Sequence, residues 1–297
     1  MDGVINVLKP PGMTSSDVVV YLRRLMKVKK IGHAGTLDPG AAGVLVVCIG
    51  RATKIAEYMM DADKTYRGGL VLGVETDTLD ADGNITNKST SLPELSDIEV
   101  VFKKYQGRIL QTPPMYSAIK HQGRRLYKLA RQGEKVEVAP REIEIFKNKI
   151  LEFYPPDQVF FQVSCSKGTY IRSLVRDIGE SLGCGAYLSY LIRVASGQFS
   201  IAESISLQEI KRALLESKIE EFITPMDIAL SQFPSLVIDD NAYTRVINGN
   251  LIGKDSVISD LGCIAEGKLF RVYCRKHFIG LGYIDANNMI RMRKVLG

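Results

Sequence analysis

The tightest constraint on this chain lies in thirteen residues, Gly32 to Val44, which hold four glycines and a proline and lead into the apolar run Val44–Ile49. Pro39 fixes its own φ and confines Asp38 to extended or turn-like backbone. Gly32, Gly35, Gly40 and Gly43 admit positive φ and leave room for a large body to approach the backbone. Asp38 is the one carboxylate in the segment, set among small side chains. Two readings are open at this point. One is an Asp-Pro turn ahead of a buried strand. The other is a carboxylate presented to a bound molecule.

With 297 residues the chain can bury a large core and form more than one domain. Its apolar share of 45% and charged share of 24% are those of an ordinary globular protein. Met1–Asn6 has no basic region followed by an apolar one, and no apolar run approaches the roughly 20 residues that span a bilayer. A cytoplasmic protein is expected. The five cysteines form no C-x-x-C pair, so they read as reduced and mostly buried thiols. The three histidines lie in no ligand-spaced cluster, and no zinc site is expected.

Charge is unevenly placed. The net +6 comes from 39 Lys and Arg against 33 Asp and Glu. Gly267–Gly297 has seven basic residues against Asp285, and Tyr116–Lys135 has six against Glu134. Between Glu75 and Glu99 seven acids face Lys88 alone. Two basic blocks suit a polyanion, with nucleic acid first among candidates, or form two solvated lysine-rich faces.

The pattern along the chain mixes helices and strands. Ile5–Pro11 reads as extended. Thr14, Ser15, Ser16 and Asp17 offer N-caps to a helix carrying Val18, Leu22 and Leu25 on one face. Val44–Ile49 reads as a buried strand and Lys54–Met60 as a short helix. Tyr66–Leu72 reads as a strand weakened by Gly68-Gly69. Leu79–Gly83 is a turn. Helices are expected over Ile98–Tyr105, Tyr170–Leu182 and Glu209–Glu221. Arg141–Phe153 and Gln158–Cys165 are strand-like, the second alternating Val159, Phe161 and Val163 with Phe160, Gln162 and Ser164. A polar, proline-punctuated link from Thr224 to about Pro234 marks a domain boundary before a segment of glycines and β-formers. Without a βαβ rhythm, the expected class is α+β, with a mixed, largely antiparallel sheet and flanking helices.

Several motifs fail. Gly262–Leu269 fits G-x-x-x-x-G-K, yet Leu269 stands where a phosphate loop needs Ser or Thr, and strand formers follow. Asp80-Ala81-Asp82-Gly83 resembles part of a calcium loop but lacks the bidentate acid at Ser89. No serine nucleophile elbow or dinucleotide fingerprint is present.

Five segments, taken together and in order, resemble one family. They are the Asp38 stretch, Asn6–Ser15, Asp63-Lys64-Thr65-Tyr66-Arg67, Gln111–Lys120 and Cys165–Arg172. The chain resembles, over essentially its whole length, the bacterial tRNA pseudouridine synthase B family, which isomerises uridine 55 in the T-loop of tRNA. Its last part resembles, more weakly, the small β-rich PUA module of pseudouridine synthases and archaeosine transglycosylases.

The resemblance implies a catalytic domain over residues 1–230, an RNA-binding thumb at about 116–140 and a PUA-like domain over 235–297. It implies Asp38 as the catalytic carboxylate, Arg172 as its partner and Tyr66 as the ring that stacks on the base, with a possible part in removing the C5 proton. Tyr170 and Leu191 line the uridine pocket. His33 helps open the T-loop as the nucleotide flips. Lys9 supports the active-site loop or contacts phosphate. Lys120, Arg124, Arg125, Lys128 and Arg131 are the thumb's phosphate contacts. No cofactor and no metal are implied. The partner is the tRNA T-arm, with no membrane and no obligatory protein partner, and the chain acts as a monomer. Two departures stand out. Gly68-Gly69 replaces apolar residues, with a looser strand below Tyr66 expected, and Ile192 stands where many members carry a second arginine.

Two other classes of function remain to be separated. A non-catalytic tRNA-binding or folding factor needs the basic segments but not Asp38. An unrelated metabolic enzyme acting on a small acidic sugar needs no salt-dependent RNA affinity.

Overall fold

The computed structural model describes residues 1–117, 119–134, 136–259 and 265–297, and of Lys120, His121 and Arg131 only the backbone. Residues 260–264, with Cys263 and the start of the rejected phosphate-loop motif, lie outside them.

The chain opens with β1 (Gly3–Lys9), almost wholly buried, and turns into α1 (Ser15–Met26). The Thr14 hydroxyl accepts the Asp17 N–H at 3.0 Å while the Asp17 carboxylate accepts the Thr14 N–H at 2.9 Å. This reciprocal box fixes the helix start, with Thr14 as the cap among the four candidates that the sequence offered. β2 (Ile31–His33) and β3 (Ala42–Ile49) flank the Asp38 loop, and α2 (Ala56–Met60) leads to β4 (Lys64–Leu72). The hairpin β5 (Val74–Thr76) and β6 (Ile85–Lys88) precedes α3 (Leu95–Lys104) and β7 (Gly107–Gln111). The basic insertion carries β8 (Lys120–His121), β9 (Arg124–Arg125) and α4 (Leu126–Arg131). Next come β10 (Arg141–Tyr154), β11 (Gln158–Cys165), α5 (Ile171–Ser181) and β12 (Ala186–Ser196). β13 (Phe199–Ser200), β14 (Ile205–Ser206), α6 (Leu207–Leu215) and α7 (Met226–Ala229) lead to β15 (Ser235–Val237), α8 (Tyr243–Ile247), β16 (Leu269–Cys274), β17 (His277–Ile284) and β18 (Ile290–Val295).

One ten-stranded sheet organises the molecule, in the order β14-β1-β3-β12-β4-β11-β10-β7, with β13 on β12 and β2 on β3. It is antiparallel except where β1 meets β14 and β3 meets β12. This is the α+β class expected. Buried apolar residues of β4, β10 and β11 pack with α3 and α5, while those of β1 and β3 pack with α1 and α6. On the other side of β1 and β3, Val4, Val44, Val46 and Cys48 pack against Leu281 and Leu296. The four-stranded sheet β15-β16-β17-β18 is therefore seated on the large one rather than tethered beside it.

The proline-punctuated link is built into this contact. Thr224 exchanges backbone hydrogen bonds with Val4 at 2.9 and 2.8 Å, and Leu230 is fully buried. The helix expected over Glu209–Glu221 stops at Leu215, because Ser217 takes a left-handed φ of 57° and only a short 3-10 turn, Ile219–Phe222, follows. The four described cysteines, Cys48, Cys165, Cys184 and Cys274, are free and buried.

Gly68-Gly69 does not loosen β4, which pairs along its whole length with β11 and β12. A Cβ at Gly68 would lie 2.9 Å from the Phe161 ring, and one at Gly69 2.6 Å from the Tyr190 ring. The pair gives those rings their space opposite the β12 bulge between Leu188 and Tyr190. In the Asp38 segment, Gly35 and Gly43 take positive φ, at 109° and 105°, whereas Gly32 and Gly40 do not. At Gly43 a Cβ would stand 2.3 Å from the Arg193 carbonyl oxygen, a backbone atom that cannot swing away. Gly43→Ala therefore lowers unfolding free energy by about 1–3 kcal/mol in urea titration. Gly40→Ala, whose nearest neighbour would be 3.6 Å away, stays within about 0.5 kcal/mol of the parent.

Candidate active site

The Asp38 loop is pinned from three directions. From α1, the Ser15 hydroxyl accepts the Leu37 N–H at 2.8 Å and donates to the Leu37 carbonyl at 3.1 Å. From β1, fully buried Lys9 donates to the carbonyls of Met13, Pro10 and Pro39 at 2.5, 2.9 and 3.2 Å. From β12, Arg193 donates to the carbonyls of Val44, Gly35 and Thr36 at 2.7, 3.1 and 3.4 Å. Every clamp grips backbone, so the Asp38 side chain is left 46% exposed.

Arg172 reaches that carboxylate from the first turn of α5. Its Nη2 lies 2.9 Å from Asp38 Oδ2 and donates to the Tyr116 carbonyl at 2.9 Å. Its Nη1 donates to the Thr78 carbonyl at 3.2 Å and lies 3.5 Å from Asp80 Oδ2. The guanidinium is only 7% exposed, so these oxygens stand in for the water it has lost. The planar fork fixes where the Asp38 carboxylate can point.

Tyr66 pairs in register with Arg193, and the two share a face of the sheet with Gly43. Burial pushes the Tyr66 phenol up from its ordinary pKa, the nearby Arg193 guanidinium acting against it. His33 sits at the end of β2. Burial lowers its pKa, and the charge of Arg193 lowers it further. Tyr170 caps α5, and its backbone is held by the Gln111 amide, which accepts its N–H at 2.8 Å and donates to its carbonyl at 3.1 Å. Burial raises the Tyr170 phenol pKa. Leu191, half-buried on β12 opposite Gly68, packs against the core under α5.

Most of the expected residues thus sit on the elements around one loop. Lys9 takes the supporting role rather than presenting a free charge. In the basic insertion, Arg125 and Lys128 are exposed, but Arg124 is tied to Glu134 at 3.1 Å. The side chains of Lys120 and Arg131 lie outside the described residues. In the C-terminal sheet, Arg275 meets Asp240 at 3.6 Å, Arg291 meets Asp285 at 3.7 Å and Lys294 meets Glu57 at 3.1 Å. Arg271 donates to the carbonyls of Phe233 and Asp227, while Lys268, Lys276 and Arg293 are exposed and form no ion pair among the described residues.

Sequence reasoning missed Asp80 and Arg193. In sequence, Asp80 reads as part of a turn. That turn docks on β12, where Ala81 N–H donates to the Leu188 carbonyl at 3.1 Å, and this carries Asp80 to Arg172. The seven-acid block was the one available signal. Arg193 binds three carbonyls and the Tyr66 phenol, partners brought near by strand pairing that leaves no mark in sequence. Among the described residues no group of three or more His, Cys, Asp or Glu could hold a metal ion. Nor is any helix among them long and apolar enough to cross a membrane.

Three family models match the chain. They are the TruB family pseudouridylate synthase N-terminal domain over residues 23–171, the tRNA pseudouridylate synthase B C-terminal domain over 172–231, and the pseudouridine synthase II TruB C-terminal region over 234–296. The chain is 44% identical over 284 residues to tRNA pseudouridine synthase B of Alkaliphilus oremlandii, covering 96% of this chain and 93% of that protein. It is 45% identical over 284 residues to that of Clostridium tetani, covering 95% of each. A solved chain from an H/ACA RNP bound to a substrate RNA containing 2′-deoxyuridine superposes with a TM-score of 0.76 at 26% identity, over 99% of this chain and 85% of that one.

Burial lowers the Lys9 pKa from 10.5 to about 8, and the Asp38 carboxylate opposes the fall. The unfolded chain keeps the Lys9 proton to higher pH than the folded one. Lys9 therefore weighs against folding below about pH 8, and stability recovers as pH rises towards 10.5. Lys64, lowered by burial to about 8, contributes with the same sign. A nitrogen-15 NMR titration of the lysine side chains finds Lys9 near pH 8, and Asp38→Asn moves its midpoint lower still.

Proposed function

Because the chain belongs to the TruB family of pseudouridylate synthases, we propose that it isomerises uridine to pseudouridine at position 55 in the T-loop of tRNA, with Asp38 as the catalytic carboxylate. The observation that carries this reading is the half-exposed Asp38 side chain, on a loop clamped through its backbone and held 2.9 Å from a buried Arg172.

The reaction breaks the C1′–N1 bond, turns the detached uracil and joins C5 to C1′. The proton on C5 leaves and N1 gains one, so nothing is consumed. Two routes suit a lone carboxylate. Asp38 attacks C1′ and holds the ribose covalently while the base turns, or it takes a sugar proton and gives a glycal-like intermediate. Arg172 aims the carboxylate in either route. Tyr66, its phenol kept protonated by burial, serves as a stacking platform for the loose base. It accepts the C5 proton only after its own has gone. Tyr170 and Leu191 close the pocket around the uracil.

The atoms at C1′ and C5 are reached only when the nucleotide leaves its stack. His33, uncharged because of its burial, fills the space the flipped base vacates. Arg125 and Lys128 of the thumb grip phosphate, and the PUA-like sheet holds the acceptor-stem side through Lys268, Lys276 and Arg293. These contacts supply affinity without sequence information, and that affinity falls with salt. The chain works as a cytoplasmic monomer without cofactor.

Wild-type protein, in buffer free of metal and nucleotide, releases tritium from a T stem-loop labelled at uridine C5. Asp38→Asn lowers that release by at least about 10²-fold, within the range spanned by loss of an acid–base or nucleophilic group, and leaves RNA affinity within about threefold. Wild-type binding without release would instead fit the folding-factor reading. Arg172→Lys keeps the charge but loses the fork, and lowers turnover with little change in RNA affinity.

A further inference from the structure

The face of the sheet opposite Tyr66 is covered at its β1–β3 end by the C-terminal sheet, whose Leu281 and Leu296 pack on Val44 and Val46. The same face is open across β10, β11, β4 and β12. Strand register shows what it presents. Lys147 pairs with Ser164, Lys149 with Gln162, Glu152 with Phe160 and Tyr154 with Gln158. Gln162 pairs in turn with Arg67 and Phe160 with Gly69, and across β12 these meet Ile192 and Tyr190. Residues in register share a face. The two bulges in β10, at Ile145/Lys147 and Ile150/Glu152, keep Lys147, Lys149, Glu152 and Tyr154 together on it.

The open face thus combines cations and rings. Lys147, Lys149 and Arg67 are exposed and form no ion pair among the described residues, and Glu152 is the one acid in their rows. Tyr154, Phe160 and Tyr190 run as a ladder, the first contact edge-on and the second tilted, with ring centroids 5.3 and 5.8 Å apart. Tyr154 is 48% exposed and Tyr190 40%. Arg67 is held by the Gln162 amide at 2.9 Å, not by a carboxylate.

We propose that this face is a second RNA-binding surface, distinct from the Asp38 site, that takes an unpaired, extended stretch of RNA. Bases stack on the Tyr154–Phe160–Tyr190 ladder and phosphates meet Lys147, Lys149 and Arg67. Rings beside cations on an open sheet are the chemistry of single-strand recognition, because every base offers a π-face and every phosphate a charge. A protein partner would meet three unpaired cations that need acids of its own, whereas a polyanion neutralises them directly.

The test uses the full-length protein and a fluorescein-labelled, mixed-sequence single-stranded RNA decamer, read by anisotropy. Wild type binds it with an affinity that falls steeply with salt. Tyr154→Ala with Tyr190→Ala weakens binding at least about tenfold. Lys147→Gln with Lys149→Gln, which leaves the ring ladder intact, weakens it at least about threefold and flattens the salt dependence. Both double variants keep wild-type circular dichroism and stay within twofold of wild-type turnover on a short T stem-loop. That turnover reports on the isomerase reading separately, so either idea can fail alone. No decamer binding by wild type, wild-type decamer binding by either double variant, or a loss of T stem-loop turnover matching the loss of decamer binding would overturn the second surface.

Discussion

The contact between Arg172 and Asp38 ties together two parts of the molecule that also meet along the middle of the sheet and where Leu37 and Ala41 pack into the core beneath α5. Asp38 comes from the loop between β2 and β3, backed by α1, and Arg172 from α5 on the other half. A buried guanidinium without partners would cost several kcal/mol. Two carbonyls and the Asp80 carboxylate meet that need, so Arg172 has one orientation. The Asp38 side chain inherits its direction from that fixed fork. The placement of the β5–β6 hairpin, the Tyr116 segment and the first turn of α5 all serve this one point.

A division of labour follows. Lys9, Ser15 and Arg193 hold the loop by its main chain, and none of them uses the Asp38 carboxylate. Arg172 engages its Oδ2. The Asp38 carboxylate is thus rigidly mounted while remaining open to solvent on one side, which suits the proposed approach to a sugar carbon brought in from outside. Holding the mount through backbone also explains the composition of the loop. Gly43 must lack a side chain because the Arg193 backbone passes beside it, and the small residues around Asp38 leave the approach clear.

What could be read in sequence follows from the range of the forces involved. The start of α1 was legible because a capping box acts across three residues. The Val44–Ile49 strand and the alternation along Gln158–Cys165 were legible because burial imprints a short period. The end of α6 was not, since a left-handed Ser217 is a non-glycine exception to the usual stop signal. Gly68-Gly69 looked like a weakness because the rings that need the space, Phe161 and Tyr190, lie on neighbouring strands. Asp38, Tyr66 and Arg172 were reached through resemblance, as local physics left a plain turn open at Asp38. Arg193 and Asp80 escaped because their partners are carbonyls and a guanidinium assembled only by strand pairing. Several basic residues that looked free in sequence, Arg124, Arg271 and Lys294 among them, turn out to be engaged within the protein.

The most direct test of the account is a crystal structure of the protein with a T stem-loop RNA, read at one distance, from the Asp38 carboxylate to C1′ of the target nucleotide. The account places a carboxylate oxygen within about 3–3.5 Å of that carbon, or bonded to it, with the nucleotide extruded over Tyr66. A target nucleotide still stacked in its loop, or an Asp38 side chain turned away from the ribose, would contradict it.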